Sequence, residues 1–386
     1  MSMVAAGWAP LTPAERAVAI EVLLHGPISR TGIARRLGLS AGSLTRLTKP
    51  LIASGLLTET PSPAPPRAHR QGRPSLPLDI VADSHCLAGF RVTGDAVHGV
   101  VTTLRSDVLA HRSTPLTSRE PDRVADQLAA MTAEFTRDLP AVAGVGVGVG
   151  GPVGEGGTGR RDVPFGALLG EHTGLPVVVE NDVAALVEAE AWFGAGRGLD
   201  RFVVLTVGAD VGYGLVVDGV RVRSAEDGPD PGRHWIVEPG GPFTPDGEPG
   251  SAVALLSVPS IRYQVRAATG EDLGYDAILA RAADGDPLTG RVVDEAARAL
   301  GVLVARIANF AMPQKILLAG EGVGLVGVAG DTVRETVRAH RHPLADPVVL
   351  ETRVADSADW ARAAAVPAIQ SLVRGGTAGG RIRSGE

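Results

Sequence analysis

A chain of 386 residues, 44% of them apolar, is too long for one core and describes a soluble globular protein of two or three domains. One cysteine, Cys86, excludes an intramolecular disulfide and any zinc site needing two thiolates, and no apolar run approaches membrane-spanning length. The net charge of −6 is unevenly divided: residues 1–80 carry nine Lys/Arg against four Asp/Glu, the remainder 28 against 39, as expected of a nucleic-acid-binding head on a body that does not bind nucleic acid.

The first element is a helix started by Thr12-Pro13-Ala14-Glu15, a capping box with proline at the first helical position, and ended by Gly26. Ser29 is placed to cap a second helix, Arg30 to Leu37, with Ile28 and Ile33 at hydrophobic-staple spacing and Ile33, Ala34 and Leu37 on the inner face. Gly38 supplies a left-handed residue to end it, Leu39 plugs the corner, and Ser40 caps a third helix. There Leu44, Leu47 and Leu51 are expected to face inward, leaving Ala41, Gly42, Ser43, Thr45, Arg46 and Lys49 open. Small residues at the helix start let its backbone approach a major-groove floor. Arg46 can reach a guanine edge or a phosphate, so Ser40, Ser43, Thr45, Arg46 and Lys49 are the candidate DNA contacts. Pro50 should kink or end this helix near Lys49.

Residues 56–60 and 75–80 can form the two strands of a wing around PSPAPPRAHRQGRP. Arg73 in that segment is a candidate contact to backbone or minor groove, whereas Arg67 and Arg70 fit a DNA contact and a solvated linker equally well. The whole reads as a winged helix-turn-helix, all-α with a small β-wing, that binds double-stranded DNA; a surface helix pair and a helix-turn-helix used for protein contacts are the bland alternatives.

From residue 82 the pattern turns α/β. Runs at 87–92, 97–104 and 108–112 read as antiparallel strands joined by Thr93-Gly94-Asp95 and Arg105-Ser106-Asp107, and Val124, Leu128, Met131 and Phe135 mark an amphipathic helix. Residues 141–153 read as a buried strand running into a glycine-rich turn. Residues 175–182 form another that delivers Asn181 and Asp182 at its C-terminal end, where α/β sheets place ligand groups. A second strand–glycine turn–strand cycle begins at 201 and echoes the first, implying two lobes with a cleft between them. A long helix at 290–311, a strand at 315–320 and a final helix at 357–374 follow, and the last dozen residues look disordered.

With GPISRTGIARRLGLS, SLTRLTKPLIASGLL, GRP at 72–74, VGVGGPV at 147–153, GLPVVVENDVAALVEAEAWFGAGRG at 174–198, FVVLTVGADVGYGLVVDG, KILLAGEGV and WARAAAVPAI in this order, the chain resembles the ROK family (repressors, open reading frames, kinases). It is most similar to the family's regulators, which put a winged helix-turn-helix before a two-lobed, actin-like, sugar-kinase-like fold. The resemblance implies a head at 1–81, a first lobe at 82–190 completed by the helix 357–375, a second lobe at 191–356 and a tail at 376–386. It also implies that Asp182 stands at the position of the kinases' general base and Asn181 at that of a sugar-hydroxyl ligand.

The departures decide the expected function. The first hairpin has Arg91 in place of an acid, with Val92 at the apolar position beside it. The second turn keeps Gly208, Gly212 and Gly214 but carries Ala209, Asp210 and Tyr213, and Asp210 would repel a phosphate. His234 sits at the family's histidine with Arg233 before it, while Thr244, Asp246 and Ser251 fall where a zinc cluster has cysteines; no metal or other cofactor is expected. Pro231 and Val253 replace the family's sugar-binding glutamates, with Asp230 one residue away as a substitute.

The expected function is a cytoplasmic, nucleoid-associated transcriptional regulator, most simply a repressor. It would act as a homo-oligomer (dimer or tetramer) on an inverted-repeat operator, with no membrane partner. A small-molecule effector, a sugar or another metabolite, would meet Gly151, Asn181, Asp182, Asp230 and His234 in the inter-lobe cleft. An oligomerising body without effector and an active sugar kinase dependent on Asp182 are the other readings.

Overall fold

The computed structural model describes residues 11–61, 76–139, 142–150, 164–222, 231–245 and 248–375; Arg67, Arg70, Arg73, Gly151, Asp230, Asp246 and the 376–386 tail lie outside them. The chain forms two compact units, residues 1–185 with 361–386, and residues 186–360.

The first unit opens with α1 (Pro13–His25), α2 (Arg30–Leu37) and α3 (Ala41–Ala53). Thr12 and Glu15 close the capping box, Ser29 accepts from the Gly32 amide, Gly38 ends α2 at φ 64°, and Ser40 accepts from the Ser43 amide. Val18, Val22 and Leu23 of α1, Ile33 of α2, and Leu44 and Leu51 of α3 are buried. Two expectations for α3 need correction. Leu47 is only half-buried and Thr48 takes the inner place at 2% exposed, because the stripe follows i, i+4, i+7 from Leu44. Pro50 neither ends nor breaks the helix, which runs on to Ala53: Pro50 itself is exposed, and burial of Leu51 outweighs the one missing backbone bond. The wing is a two-stranded antiparallel ribbon of β1 (Leu57–Glu59) and β2 (Leu78–Ile80), in register Leu57 to Ile80, and Leu78 also bridges Ile28 ahead of α2.

The same unit continues with β3 (Cys86–Val92), β4 (Ala96–Thr102), β5 (Val108–Pro115), α4 (Pro121–Asp138), β6 (Val142–Val149), α5 (Phe165–Thr173) and β7 (Val177–Asn181). The sheet order is β5-β4-β3-β6-β7; the first three strands pair antiparallel, and β6 and β7 add parallel beyond β3. Val124, Leu128, Met131 and Phe135 of α4 pack with Phe90, Val97, Val145 and Val147 of the sheet in one core. The helix α6 (Asp182–Phe193) leads out of this unit.

In the second unit come β8 (Arg201–Val207), β9 (Val211–Val217), β10 (Val220–Arg221), α7 (Ala252–Leu256), α8 (Val258–Thr269), α9 (Tyr275–Ala283), α10 (Pro287–Ala311), β11 (Lys315–Ala319), α11 (Leu325–Ala339) and β12 (Val349–Arg353). Their sheet order, β10-β9-β8-β11-β12, repeats the first, antiparallel then parallel. The core forms around α10, where Val292, Ala296, Leu300, Leu303 and Ile307 meet Val203, Leu205, Ile316 and Leu318. The last helix, α12 (Ser357–Arg374), returns to the first unit from Ala361 onward. Gly89 of β3 and Gly146 of β6 make its seat: a Cβ at either would overlap the carbonyl of Ala361 or Ala364.

Candidate functional site

The head presents the side chains expected on the open face of α3. Arg46 and Lys49 are exposed, and so are Ala41 and Gly42 ahead of them. The hydroxyls are partly engaged. Ser40 accepts from the Ser43 amide at 3.1 Å and donates to Ser43 Oγ at 3.0 Å, and Thr45 donates to the Ala41 carbonyl at 2.9 Å. Ser40 and Thr45 therefore offer lone pairs more readily than a proton, whereas Ser43 Oγ accepts and keeps its proton to donate. Ser40, Ser43, Thr45, Arg46 and Lys49 thus share one element; Arg73, assigned to the wing, lies outside the described residues. Arg30 at the start of α2 holds the wing by donating to Glu59 at 2.6 Å and to the Leu76 carbonyl at 3.0 Å.

In the first lobe, Asn181 and Asp182 stand side by side at the end of β7, both half-buried, beside the end of β6. Gly150 lies beside that carboxylate: a Cβ there would stand 3.8 Å from Asp182 Oδ2, an ordinary contact. Both side chains also serve the start of the next helix. The residue that caps α6 is Asn181, whose Oδ1 accepts from the Ala184 amide at 3.1 Å, while Asp182 is already the first helical residue and accepts from Val183 at 2.8 Å. Gly151 and Asp230 lie outside the described residues, and His234 is exposed at the end of the 3-10 turn Pro231–His234 in the second unit.

The second glycine turn, between β8 and β9, is closed by the protein's own carboxylates. Ala209 donates to Glu321 Oε1 at 2.9 Å, and a Cβ at Gly208 would lie 2.6 Å from the Glu321 carboxyl carbon. Asp210 accepts from the Val211 amide at 2.8 Å and pairs with Arg233 at 3.2 Å. A nest of backbone amides is an anion seat, and this one already has its anions. Glu321 lies on the glycine-rich loop after β11, which Tyr275 steadies by donating to the Gly322 carbonyl at 2.6 Å; burial pushes the Tyr275 hydroxyl up to about 12. The first hairpin is likewise self-contained. Thr93 Oγ1 donates to Asp95 at 2.8 Å and Arg119 covers the Gly94 carbonyl at 3.0 Å.

Of the positions expected to match the family's zinc cysteines, the two described, Thr244 and Ser251, do not fit a metal. Thr244 is buried and its hydroxyl accepts from Ser260 at 3.1 Å, and Ser251 caps α7 through the Ala254 amide at 3.3 Å. Hydroxyls spent on a cap and a buried bond are poor donors to zinc. Sequence reasoning missed Glu321, although its place in KILLAGEGV was legible. It also missed Glu190 of α6, which is completely buried and holds the Ala195 amide at 2.7 Å and Arg353 at 2.8 Å.

A three-helix head with a β-wing, carried ahead of two α/β sheets of identical strand order, defines a winged-helix protein on a sugar-kinase-like body. The chain belongs to the ROK family, whose profile matches residues 87–365. It is 23% identical over 340 residues to the DNA-binding transcriptional repressor Mlc of Escherichia coli K12, covering 82% of this chain and 83% of that protein. The solved structure of a ROK family transcriptional regulator, a homolog of the E. coli MLC protein, superposes with a TM-score of 0.77 at 25% identity, covering 94% of this chain and 96% of the other. A ROK hexokinase from Thermus thermophilus reaches a TM-score of 0.64 at 26% identity and covers 98% of its own length but only 73% of this chain. The relatives thus include both repressors and kinases, and the match to the transcriptional-regulator structure extends over nearly the whole chain.

Proposed function

We propose that this protein is a sequence-specific DNA-binding transcriptional regulator, most simply a repressor. It binds an inverted-repeat operator as a homo-oligomer, dimer or tetramer, and transfers no phosphoryl group. The observation that carries the reading is the head: capped helices α2 and α3 with Arg46 and Lys49 exposed on one face, beside a formed wing. Similarity to a repressor over 82% of the chain supports it. No helix among the described residues is long and apolar enough to cross a membrane, which suits a regulator working at the nucleoid.

The second glycine turn speaks against phosphoryl transfer. Phosphoryl transfer needs the γ-phosphate held in line by amides and a metal. Here Glu321 takes the Ala209 amide and Asp210 adds a second carboxylate beside it. The Asn181–Asp182 pair is retained as a hydrogen-bonding station for a hydroxyl-bearing effector, a sugar or other metabolite, that shifts the DNA-binding equilibrium through differential affinity.

Two experiments test this. Selection from a random duplex pool should enrich an inverted repeat, and failure to enrich any sequence would remove the DNA reading. In parallel, purified protein with ATP, Mg²⁺ and a panel of hexoses should release no sugar phosphate. Turnover abolished by Asp182→Asn would restore the kinase reading.

A further inference from the structure

The turn Arg105-Ser106-Asp107 between β4 and β5 does more than connect two strands. Its arginine reaches out of the first lobe into the head. Arg105 pairs with Asp79 of the wing strand β2 and, with the same nitrogen, donates to the Gly26 carbonyl at 3.1 Å and approaches the Val22 carbonyl at 3.4 Å. One guanidinium therefore gathers the C-terminal end of α1, where carbonyls carry the negative end of the helix dipole, and the strand that bridges Ile28 ahead of α2. Gly26 is part of the same fitting, because a Cβ there would crowd Val22, Asp79 and Arg105 together.

The turn itself is held from the other side. Ser106 is buried with φ 63°, an uncommon conformation for serine, and its Oγ accepts from Arg362 of α12 at 3.2 Å. The far end of α12 touches the head as well, since Arg16 of α1 donates to the Arg374 carbonyl at 2.6 Å. These are side-chain bonds between segments far apart in sequence, and they fall on α1 and β2, leaving the open face of α3 clear.

We propose that Arg105 is a positioning residue for DNA recognition. It fixes the orientation of the winged head on the first lobe, with Ser106 and Arg362 fixing Arg105 in turn. This rests on reading α3 as the DNA-contacting helix, although the geometric claim stands without it. A flexible linker would let a head adopt many orientations. A three-acceptor clamp selects one, which is what two half-sites at fixed separation require.

The test is a spin-label distance measurement in the full chain, with Arg35→Cys on α2 and Ala130→Cys on α4 as exposed label sites; the native Cys86 is buried. Labelled protein diluted into excess unlabelled protein reports distances within one chain. The parent should give one narrow distance distribution. Arg105→Ala should widen it by about twofold while α1–α3 stay folded, and Arg105→Lys, which keeps the charge on a shorter side chain, should fall between. Arg362→Ala should widen it in the same direction. Unchanged widths in Arg105→Ala would overturn the proposal. So would loss of the head's helical signal in Arg105→Ala and Arg105→Lys alike, which would assign Arg105 to the head's folding. No DNA enters the measurement, so failure of the operator reading would show separately, in the selection described above.

Discussion

Arg46 and Lys49 share a helix face but differ in the chemistry they bring. A planar guanidinium can satisfy two acceptors on a guanine edge, whereas an ammonium acts as a point charge toward phosphate. Arg46→Ala should therefore cost about 1–3 kcal/mol on the selected operator and relax one base preference, while Lys49→Ala should lower the salt slope by about one unit with little change in specificity. Fluorescence anisotropy on operator and random duplex at several salt concentrations checks both; equal losses on the two duplexes for Arg46→Ala would contradict base reading. Glu321 poses a different residue-scale question. If its carboxylate fills a phosphate seat, the double variant Glu321→Ala, Asp210→Ala should gain a saturable response to pyrophosphate or AMPPNP that the parent lacks. Trp235, whose ring lies 6.0 Å from that of Tyr213 on β9, is the natural fluorescence reporter. A flat titration in the double variant would show that the seat is lost for another reason.

At the scale of elements, the helices of the head were legible because their signals are local. Thr12 bonds Glu15, Ser29 bonds Gly32 and Ser40 bonds Ser43, each within one turn. Pro50 was misjudged because a local rule met a tertiary force, the burial of Leu51 one residue later. Pro50→Ala restores a backbone donor at an exposed position and should stabilise the head by up to about 3 kcal/mol, read as a rise in the denaturant midpoint of the helical signal. The α1 capping box carries a pH dependence. The Thr12 backbone amide and then its hydroxyl hold the Glu15 carboxyl below its ordinary value of 4.5. A lowered folded-state value means that this stability is complete above 4.5 and drains away as pH falls through the lowered value. Glu15→Gln should flatten the dependence of melting temperature on pH in that acid window and leave it unchanged near neutrality. What stayed hidden was long-range: Glu321 meets Ala209 across 112 residues, Glu190 meets Arg353 across 163, and Arg105 meets Gly26 across 79. No spacing rule joins such pairs before the sheets bring them together.

For the whole molecule, the repeat of strand order explains why the strand–turn–strand cycles at 87 and 201 looked alike. The first unit is discontinuous: its β3–β6 sheet is complete only when residues 361–374 of α12 lie against Gly89 and Gly146. In sequence Gly89 read only as part of the strand at 87–92 and Gly146 as part of the buried strand at 141–153, and neither gave a sign that a helix backbone would approach it. Two consequences are testable together. Gly146→Ala places a methyl group against the Ala364 carbonyl and should destabilise the first unit by about 1–3 kcal/mol through overpacking, whereas Gly42→Ala, on an exposed helix face with nothing within 4 Å, should be neutral or slightly stabilising. A chain stopped at residue 356 lacks α12 altogether, leaves that face of the sheet bare and should fail to accumulate as folded protein. Thermal melts of the two glycine variants and the soluble yield of the shortened chain decide the matter. A shortened chain that melts like the parent would mean that α12 is an ornament on the first unit and not its closing layer.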